Sequence, residues 1–307
     1  MQKVRPINHP RPRRDFLRLL ALSGAGIAGT LIFGCSDDDK KTGAIATATP
    51  VEAPPSGFFD SDGVRIHYET WGQGRPIVLV HGFSASLTAN WVVTGWVDFL
   101  KLTRRVIALD CRGHGESDKP HEPEAYGGDK MGGDVLRLLD YLDIEKADLF
   151  GYSMGGYISA GLLADHQERF NSVIMGGVGD PFGSGADMVT DAIAEGLLAP
   201  DASTITDPLA KGFRVFAESN PDNDLQALAA CLGRVREPLQ PADFADVNIP
   251  ALIVNGTDDV LSLNAQKFAD AIPGAVLVQI DGRDHLTVVP DQRFKDDVMT
   301  FLNGHSG

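Results

Sequence analysis

The segment Gly151-Tyr152-Ser153-Met154-Gly155 decides how the rest of the chain is interpreted. It follows an apolar run at residues 147–150, which predicts a buried strand, and it precedes a helical pattern at residues 156–166. A serine between two glycines at a strand-to-helix turn is typical of a nucleophile elbow, because the strained turn leaves no room for flanking side chains. The turn lifts the hydroxyl above the sheet, near the positive end of the following helix. We therefore predict that Ser153 is a catalytic nucleophile.

Short apolar runs alternate with helical stretches on both sides of this turn. Strands are predicted at residues 76–80, 106–109, 147–150, 172–175, 251–254 and 276–280. Helices are predicted at residues 90–100, 130–142, 156–166, 263–271 and 291–302. Continuous apolar runs are typical of strands buried on both faces of a parallel sheet. The pattern predicts an α/β fold, with a mostly parallel central sheet flanked by helices and right-handed crossovers.

One segment interrupts this alternation. Residues 181–246 contain no strand-like run, but they hold helical stretches near residues 187–198, 209–218 and 224–235. A connection of this length is several times longer than usual within a compact domain. We interpret residues 181–246 as a helical cap inserted between the two parts of an α/β core, residues 58–180 and 247–307.

Two further motifs lie in chain order before the serine. His81-Gly82-Phe83 follows the first predicted strand, and Asp110-Cys111-Arg112-Gly113-His114-Gly115-Glu116-Ser117 follows the second. Together with the serine motif they resemble the α/β-hydrolase fold family over roughly residues 57–303, in its serine esterase and cofactor-free haloperoxidase-like branch. The resemblance implies that the first motif is an oxyanion turn and that the second is structural. His114 is therefore not predicted to be catalytic.

The resemblance also implies an acid and a histidine after the serine. Asn255-Gly256-Thr257-Asp258-Asp259 follows the strand at 251–254, and the family pattern Gly-x-x-Asp selects Asp259, with Asp258 as the alternative. Asp281-Gly282-Arg283-Asp284-His285 follows the strand at 276–280 and resembles the Gly-x-x-His or Gly-x-His ending of the family, which selects His285. The predicted catalytic triad is Ser153, Asp259 and His285.

This triad implies a covalent mechanism. His285 accepts the proton of Ser153 as the hydroxyl attacks an acyl carbon, and Asp259 holds the imidazole tautomer. The backbone N–H groups of Phe83 and Met154 are the predicted oxyanion donors. Water then releases the acyl group. No metal and no organic cofactor is implied.

The predicted activity is hydrolysis of a small to medium-sized carboxylic ester, as in a carboxylesterase. A serine nucleophile argues against the haloalkane dehalogenases and epoxide hydrolases of the same superfamily, which use aspartate at that position. A perhydrolase or haloperoxidase, a lactonase and a carbon–carbon bond hydrolase are alternatives on the same triad. A protein that binds a ligand on a hydrolase fold is an alternative of a different class.

Composition excludes other functions. The chain of 307 residues has 27 Lys and Arg against 42 Asp and Glu, a net charge of -15, which repels a phosphate backbone and excludes nucleic-acid binding. The three cysteines, Cys35, Cys111 and Cys231, are too few for a disulfide scaffold. We predict that Cys111 and Cys231 are free, buried thiols.

Residues 1–35 have the pattern of a targeting segment. Arg13-Arg14-Asp15-Phe16-Leu17 resembles a twin-arginine export signal and precedes an apolar run at residues 19–33. The run ends at Leu31-Ile32-Phe33-Gly34-Cys35, which resembles a lipobox and predicts lipidation of Cys35. An uncleaved membrane anchor is the alternative, although the run is short for a membrane span.

Residues 36–57 are polar and rich in alanine, threonine and proline, which predicts a flexible tether. We predict an enzyme that is exported by the twin-arginine route to the periplasmic side of the cell envelope and anchored there by a lipid on Cys35. An acidic domain has no electrostatic attraction to an anionic membrane, so the lipid is the predicted membrane contact. The predicted partners are a small ester-like substrate and the twin-arginine export machinery, with no prediction of oligomeric state.

Overall fold

The computed structural model describes residues 55–127, 130–182, 185–234 and 238–305. The predicted signal segment at residues 1–35, with Cys35, and the predicted tether up to residue 54 lie outside these residues. The first strand begins at Ser56, because its backbone pairs with the next strand from that residue on. The predicted boundary of the folded domain at residue 58 is therefore slightly too late.

In the described part of the chain, eight strands form one sheet in the order β1-β2-β4-β3-β5-β6-β7-β8. The strands are β1 Ser56–Ser61, β2 Val64–Trp71, β3 Arg75–Val80, β4 Arg104–Leu109, β5 Ala147–Tyr152, β6 Phe170–Gly176, β7 Ala251–Gly256 and β8 Val276–Ile280. The pairs β1–β2 and β2–β4 are antiparallel. All other neighbouring strands in this order are parallel. The predicted mostly parallel α/β sheet is confirmed.

The hairpin of β1 and β2 was not among the predicted strands. β1 is the edge strand and β2 lies between β1 and β4. Both mix polar with apolar residues, so neither forms a continuous apolar run. The turn between them is Asp62-Gly63, with φ angles of 60° and 79°. A pair of residues with positive φ matches the right-handed twist of two flanking strands, and Asp-Gly is a typical hairpin signal.

Helices flank the sheet. The α-helices are α1 Trp96–Leu100, α2 Lys130–Tyr141, α3 Met154–Asp165, α4 Gly185–Leu198, α5 Pro208–Glu218, α6 Leu225–Leu232, α7 Ala265–Ala271 and α8 Gln292–Gly304. A π-helical turn lies at Thr88–Val92, and 3₁₀ turns lie at Pro123–Ala125, Gln167–Arg169, Ala202–Thr204 and Pro241–Phe244. No helix among the described residues is both long enough and apolar enough to cross a membrane.

The single helix predicted at residues 90–100 is wrong. The chain forms the π-helical turn, leaves helical geometry at Gly95 with a φ of 78°, and then begins α1. Only a residue without a Cβ adopts this left-handed conformation at little cost. Gly95 therefore divides the segment into two short elements.

An aromatic cluster supports the strand that precedes Ser153. Phe150 of β5 is fully buried, and its ring centroid lies 4.8 Å from that of Trp91, 4.9 Å from Trp96 and 5.7 Å from Phe294. Aromatic pairs at such distances stabilise a core beyond the burial of their area. The end of β5, and with it the serine turn, is held on a rigid base.

The helices α4, α5 and α6 lie between β6 and β7, where a helical insertion was predicted. They share an apolar cluster formed by Ile193, Leu197, Leu209, Ala210, Ala217, Leu228 and Ala229. Phe83, Leu261 and Leu286, from the loops after β3, β7 and β8, pack against this cluster. The three helices therefore border the loops that carry the predicted site.

Candidate active site

Ser153 lies on the turn between β5 and α3, with a φ of 53° and a ψ of −114°. A Cβ at Gly151 would overlap the carbonyl oxygen of Gly155, and a Cβ at Gly155 would overlap that of Val80. Neither flanking position has room for a side chain. A non-glycine residue in this conformation is strained, and such strain is found where the surrounding structure holds a functional group in place.

The structure brings Ser153, His285 and Asp259 together. The Ser153 hydroxyl donates to Nε2 of His285 at 2.9 Å, and Nδ1 of that ring donates to a carboxylate oxygen of Asp259 at 2.8 Å. Asp259 follows β7 and His285 follows β8. The three side chains meet because the carboxyl ends of β5, β7 and β8 lie at one edge of the parallel sheet.

The two candidate acids have different surroundings. The side chain of Asp259 is buried against His285, whereas Asp258 is exposed. Burial alone would raise the pKa of Asp259, but the charge and hydrogen bond of His285, with the N–H of Leu261 at 2.9 Å, hold this pKa below its ordinary value. The geometry therefore places an ionised Asp259, and not Asp258, beside the imidazole.

The two predicted oxyanion donors flank the serine. Met154 is the first residue of α3, so its N–H has no partner within the helix. Phe83 follows Gly82, where a Cβ would lie 3.3 Å from the Cβ of Ser153. The carbonyl of Gly82 accepts from Nδ1 of His81 at 2.8 Å and from the N–H of Ala85 at 3.2 Å. Because the peptide is trans, the N–H of Phe83 points away from these two donors.

Asn90 is a residue near this site for which the sequence carries no local signal. Its side-chain oxygen accepts from the N–H of Gly82 at 2.9 Å, and the side chain is buried. Together with His81, it fixes both peptide groups of Gly82. The pattern His-Gly indicates the turn, but no spacing rule indicates a partner eight positions later.

His114 lies close to the oxyanion turn but has no part in the triad geometry. The ring is fully buried, its Nδ1 donates to the carbonyl of Arg112 at 3.0 Å, and its centroid lies 5.6 Å from that of Phe83. Burial, followed by the neighbouring His81, lowers the pKa of His114 to about 3. A neutral ring in this position packs against Phe83, which agrees with a structural role.

A second buried histidine–aspartate pair was not predicted. Nδ1 of His67, on β2, lies 2.9 Å from the carboxylate of Asp110, which follows β4. Burial would lower the pKa of His67, but the hydrogen bond and charge of Asp110 raise it above its ordinary value. Burial would raise the pKa of Asp110, but its bonds to His67 and to backbone N–H groups lower it.

Cys111 and Cys231 are buried thiols that form no disulfide, as predicted. Burial raises the pKa of Cys111 well above its ordinary value, so the thiol is protonated. The sulfur of Cys231 lies 3.9 Å from that of Met154. Among the described residues, no three His, Cys, Asp or Glu side chains are grouped so that they could hold a metal ion.

The chain is similar in sequence to a described protein family and to several known enzymes. Residues 75–195 match the family described as alpha/beta hydrolase fold. The non-heme chloroperoxidase CPO-A1 of Kitasatospora aureofaciens is 32% identical over 280 residues, which cover 79% of this chain and 97% of that protein. The 3-oxoadipate enol-lactonase 2 of Acinetobacter baylyi is 32% identical over 214 residues, 64% of this chain and 76% of the lactonase.

A solved structure agrees with the fold. The crystal structure of a hydrolase from Pseudomonas aeruginosa PA01 has a TM-score of 0.68 and 26% sequence identity to this chain. The alignment covers 80% of this chain and 98% of the other. The similarity therefore extends over nearly the whole of that hydrolase.

Proposed function

We start from the fact that this chain belongs to the α/β-hydrolase fold family, and we propose that it cleaves a small to medium-sized carboxylic ester. The observation that carries the proposal is the chain of hydrogen bonds from Ser153 to His285 and from His285 to Asp259. Ser153 lies on the strained turn, and the other two residues lie on neighbouring loops. A hydroxyl held against an imidazole that is itself held by a carboxylate is the arrangement that activates serine.

In the first step, the Ser153 oxygen attacks the acyl carbon while its proton moves to Nε2 of His285. Asp259 keeps the Nδ1 proton of His285 in place and stabilises the imidazolium. The carbonyl oxygen becomes an oxyanion between the N–H groups of Phe83 and Met154, and each such donor contributes about 3 kcal/mol to the transition state. The imidazolium then protonates the leaving alcohol.

In the second step, water attacks the acyl-enzyme. His285 removes a proton from the water, the ester bond to Ser153 breaks, and the proton returns to the serine oxygen. The products are a carboxylic acid and the free enzyme. An enol-lactonase among the relatives acts, by its name, on a cyclic ester, which supports ester chemistry on this scaffold.

A perhydrolase is the second candidate, because the chloroperoxidase relative is aligned over 97% of its length. In that reaction hydrogen peroxide replaces water in the second step, and the acyl group leaves as a peroxy acid. The same triad serves both reactions. The rates of acid and peroxy-acid formation from one ester, with and without hydrogen peroxide, distinguish the two candidates.

The test is a panel of p-nitrophenyl esters of increasing acyl length, assayed with the purified protein. We expect turnover that is abolished in Ser153→Ala and unchanged in Ser203→Ala, a matched control at an exposed serine. Turnover that persists in Ser153→Ala contradicts the proposed nucleophile. No turnover of any ester by the wild-type protein contradicts the proposed activity and favours a carbon–carbon bond hydrolase or a ligand-binding protein.

We also propose that the protein is exported by the twin-arginine route and anchored by a lipid on Cys35. The support is the sequence of residues 1–35. Replacing Arg13 and Arg14 with lysine should leave an active enzyme in the cytoplasm, and Cys35→Ser should move it from the membrane pellet to the soluble exported fraction. If wild-type and Cys35→Ser proteins both fractionate as soluble, Cys35 is not lipidated. If both stay in the membrane, residues 19–33 are an uncleaved anchor.

A further inference from the structure

Tyr152 connects two segments of the proposed site. One is the turn at Ser153, the nucleophile turn, and the other is the loop after β8 that carries His285, the base loop. Tyr152 is the last residue of β5, directly before Ser153, and its side chain is buried. Its hydroxyl donates to the backbone carbonyl of His285. The phenol ring also lies against the imidazole, with 5.3 Å between the ring centroids. The mechanism above assigns no task to this side chain.

Two consecutive glycines leave the space through which the phenol reaches His285. Gly176 pairs with Tyr152 across β5 and β6, and a Cβ there would lie 2.8 Å from Cδ2 of Tyr152. A Cβ at Gly177 would lie 2.8 Å from Cζ of Tyr152 and 3.0 Å from Cε1 of His285. All three distances are shorter than van der Waals contact. Side chains at these positions would therefore displace the phenol, and at Gly177 the imidazole as well.

The phenol is a permanent donor. Burial, followed by the charges of Asp259 and Asp284, raises the pKa of Tyr152 well above its ordinary value of 10.0. The hydroxyl therefore keeps its proton throughout the pH range in which a neutral histidine works as a base. The protonated hydroxyl can donate a hydrogen bond to a carbonyl oxygen at any pH in this range, because neither group changes its protonation state.

We propose that Tyr152 is a positioning residue that fixes the imidazole of His285 relative to Ser153. The inference rests on the function proposed above. His285 and Ser153 are 132 positions apart in the chain, but Tyr152 joins them through one peptide bond and one phenol. Movement of the base loop away from the nucleophile turn must therefore break the hydrogen bond of this phenol.

A residue that positions the base should affect the rate of the chemical step more than the affinity for the substrate. A displacement of about 1 Å between reacting groups can reduce a rate by about a hundredfold. Removing the hydroxyl of Tyr152 should therefore lower kcat and leave KM nearly unchanged, because the phenol is buried and its hydroxyl contacts the loop of His285. We expect kcat of Tyr152→Phe to fall by about ten- to a hundredfold.

Tyr126→Phe is the matched control. Tyr126 is also fully buried, and its hydroxyl also donates to a backbone carbonyl, that of Pro120, at 2.6 Å. Both variants lose one buried phenol hydroxyl and one hydrogen bond to a carbonyl, so their losses of stability should be similar. Only Tyr152→Phe should lose kcat. A general effect of destabilisation would lower both.

The second readout is the far-downfield proton resonance of the Nδ1–H that His285 donates to Asp259, identified by its absence in His285→Ala. We expect this resonance to broaden or shift in Tyr152→Phe and to remain unchanged in Tyr126→Phe. Equal kcat values for the two variants, with the resonance intact in both, would overturn the inference.

Two further outcomes are informative. If Tyr152→Phe does not fold, Gly176→Ala displaces the same ring, and its kcat and resonance decide in the same way. The new Cβ would also lie 2.9 Å from Cζ of Phe294, so Phe294→Leu is its control. If the wild-type protein hydrolyses no ester, the proposed function fails, but the resonance still shows whether Tyr152 holds the imidazole. The failure of the proposed function and the failure of this inference are therefore distinguishable.

Discussion

Two buried histidine–aspartate pairs in this molecule have nearly the same bond and different neighbours. Nδ1 of His285 lies 2.8 Å from the carboxylate of Asp259, and Nδ1 of His67 lies 2.9 Å from that of Asp110. Nε2 of His285 accepts from the hydroxyl of Ser153. In the described part of the chain, no hydroxyl is hydrogen-bonded to Nε2 of His67.

The two carboxylates also differ in the segments that they connect. Asp110 accepts from the backbone N–H groups of Leu87 at 2.8 Å and Glu116 at 3.0 Å, so it joins two loops in addition to β2. Asp259 accepts from the N–H of Leu261, within its own loop. The His67–Asp110 pair therefore connects segments around it, whereas the His285–Asp259 pair lies next to the hydroxyl of Ser153. The partner of Nε2 is therefore what distinguishes the two histidines, and it is the basis for proposing a catalytic role for His285 alone.

The largest expected effect is the loss of kcat in Ser153→Ala, which changes the surroundings of only one of the two pairs. Ser153→Ala removes the group that only one pair contacts, and the loss of a triad nucleophile lowers kcat by about a millionfold. The thermal unfolding midpoint should change little, because the side chain is small and partly exposed. Steady-state kinetics with a p-nitrophenyl ester and thermal unfolding measure both. Near-native turnover would place the nucleophile elsewhere.

The second-largest effect is expected at Asp259, and it is compared with the effect at the neighbouring Asp258. Asp259→Asn should lower kcat by about ten-thousandfold, because an amide stabilises the wrong imidazole tautomer. Asp258→Asn is the control at the adjacent, exposed position and should change kcat little. The same ester assay applies to both. If Asp258→Asn were the more damaging change, the assignment of the acid would be wrong.

Asp110→Asn changes the acid of the other histidine–aspartate pair. The variant weakens the bonds to His67, Leu87 and Glu116, and we expect the free energy of unfolding to fall by about 1–3 kcal/mol. At a temperature where the variant is folded, kcat should remain within a few-fold of the wild-type value. Urea denaturation and the ester assay test this together. A loss of kcat as large as in Asp259→Asn would show that both pairs serve the reaction.

The smallest effect is a pH dependence of stability at His67. The folded-state pKa of His67 is raised above its ordinary value of 6.5, so its contribution is fully present below this value and is lost as the pH rises through the folded pKa. The stability advantage of the wild-type protein over His67→Gln should therefore be larger at about pH 5.5 than at about pH 9. Asp110 stays ionised over this window because its own pKa is lowered. An advantage that grew with pH would contradict the raised pKa.

Local patterns predicted the central sheet and the serine turn well. The runs that became β3 to β8 are continuous and apolar because both faces of a parallel sheet are buried. The turn at Ser153 needs glycine on both sides, so its pattern is visible in five residues. Asp259 and His285 were selected by their resemblance to family patterns that follow two of these strands, and the structure places both side chains next to Ser153.

Long-range contacts were not predictable in the same way. His67 and Asp110 are 43 positions apart, and His67 lies on β2, a strand without a continuous apolar run. Tyr152 was visible only as the variable residue of its motif, because its partner is the backbone of a residue 133 positions later. Hydrogen bonds between distant segments depend on the packing of the sheet and leave no periodic trace in either segment.

The edge position of β1 has a consequence for attaching this enzyme to a solid support. The order β1-β2-β4-β3-β5 places the first strand four spacings from the strand that carries the serine turn, which corresponds to about 19 Å at about 4.8 Å for each spacing. A fusion partner or a surface linker joined ahead of Ser56 would meet the domain at this edge. A protein coupled in this way should keep the loops around Ser153 accessible to dissolved substrate.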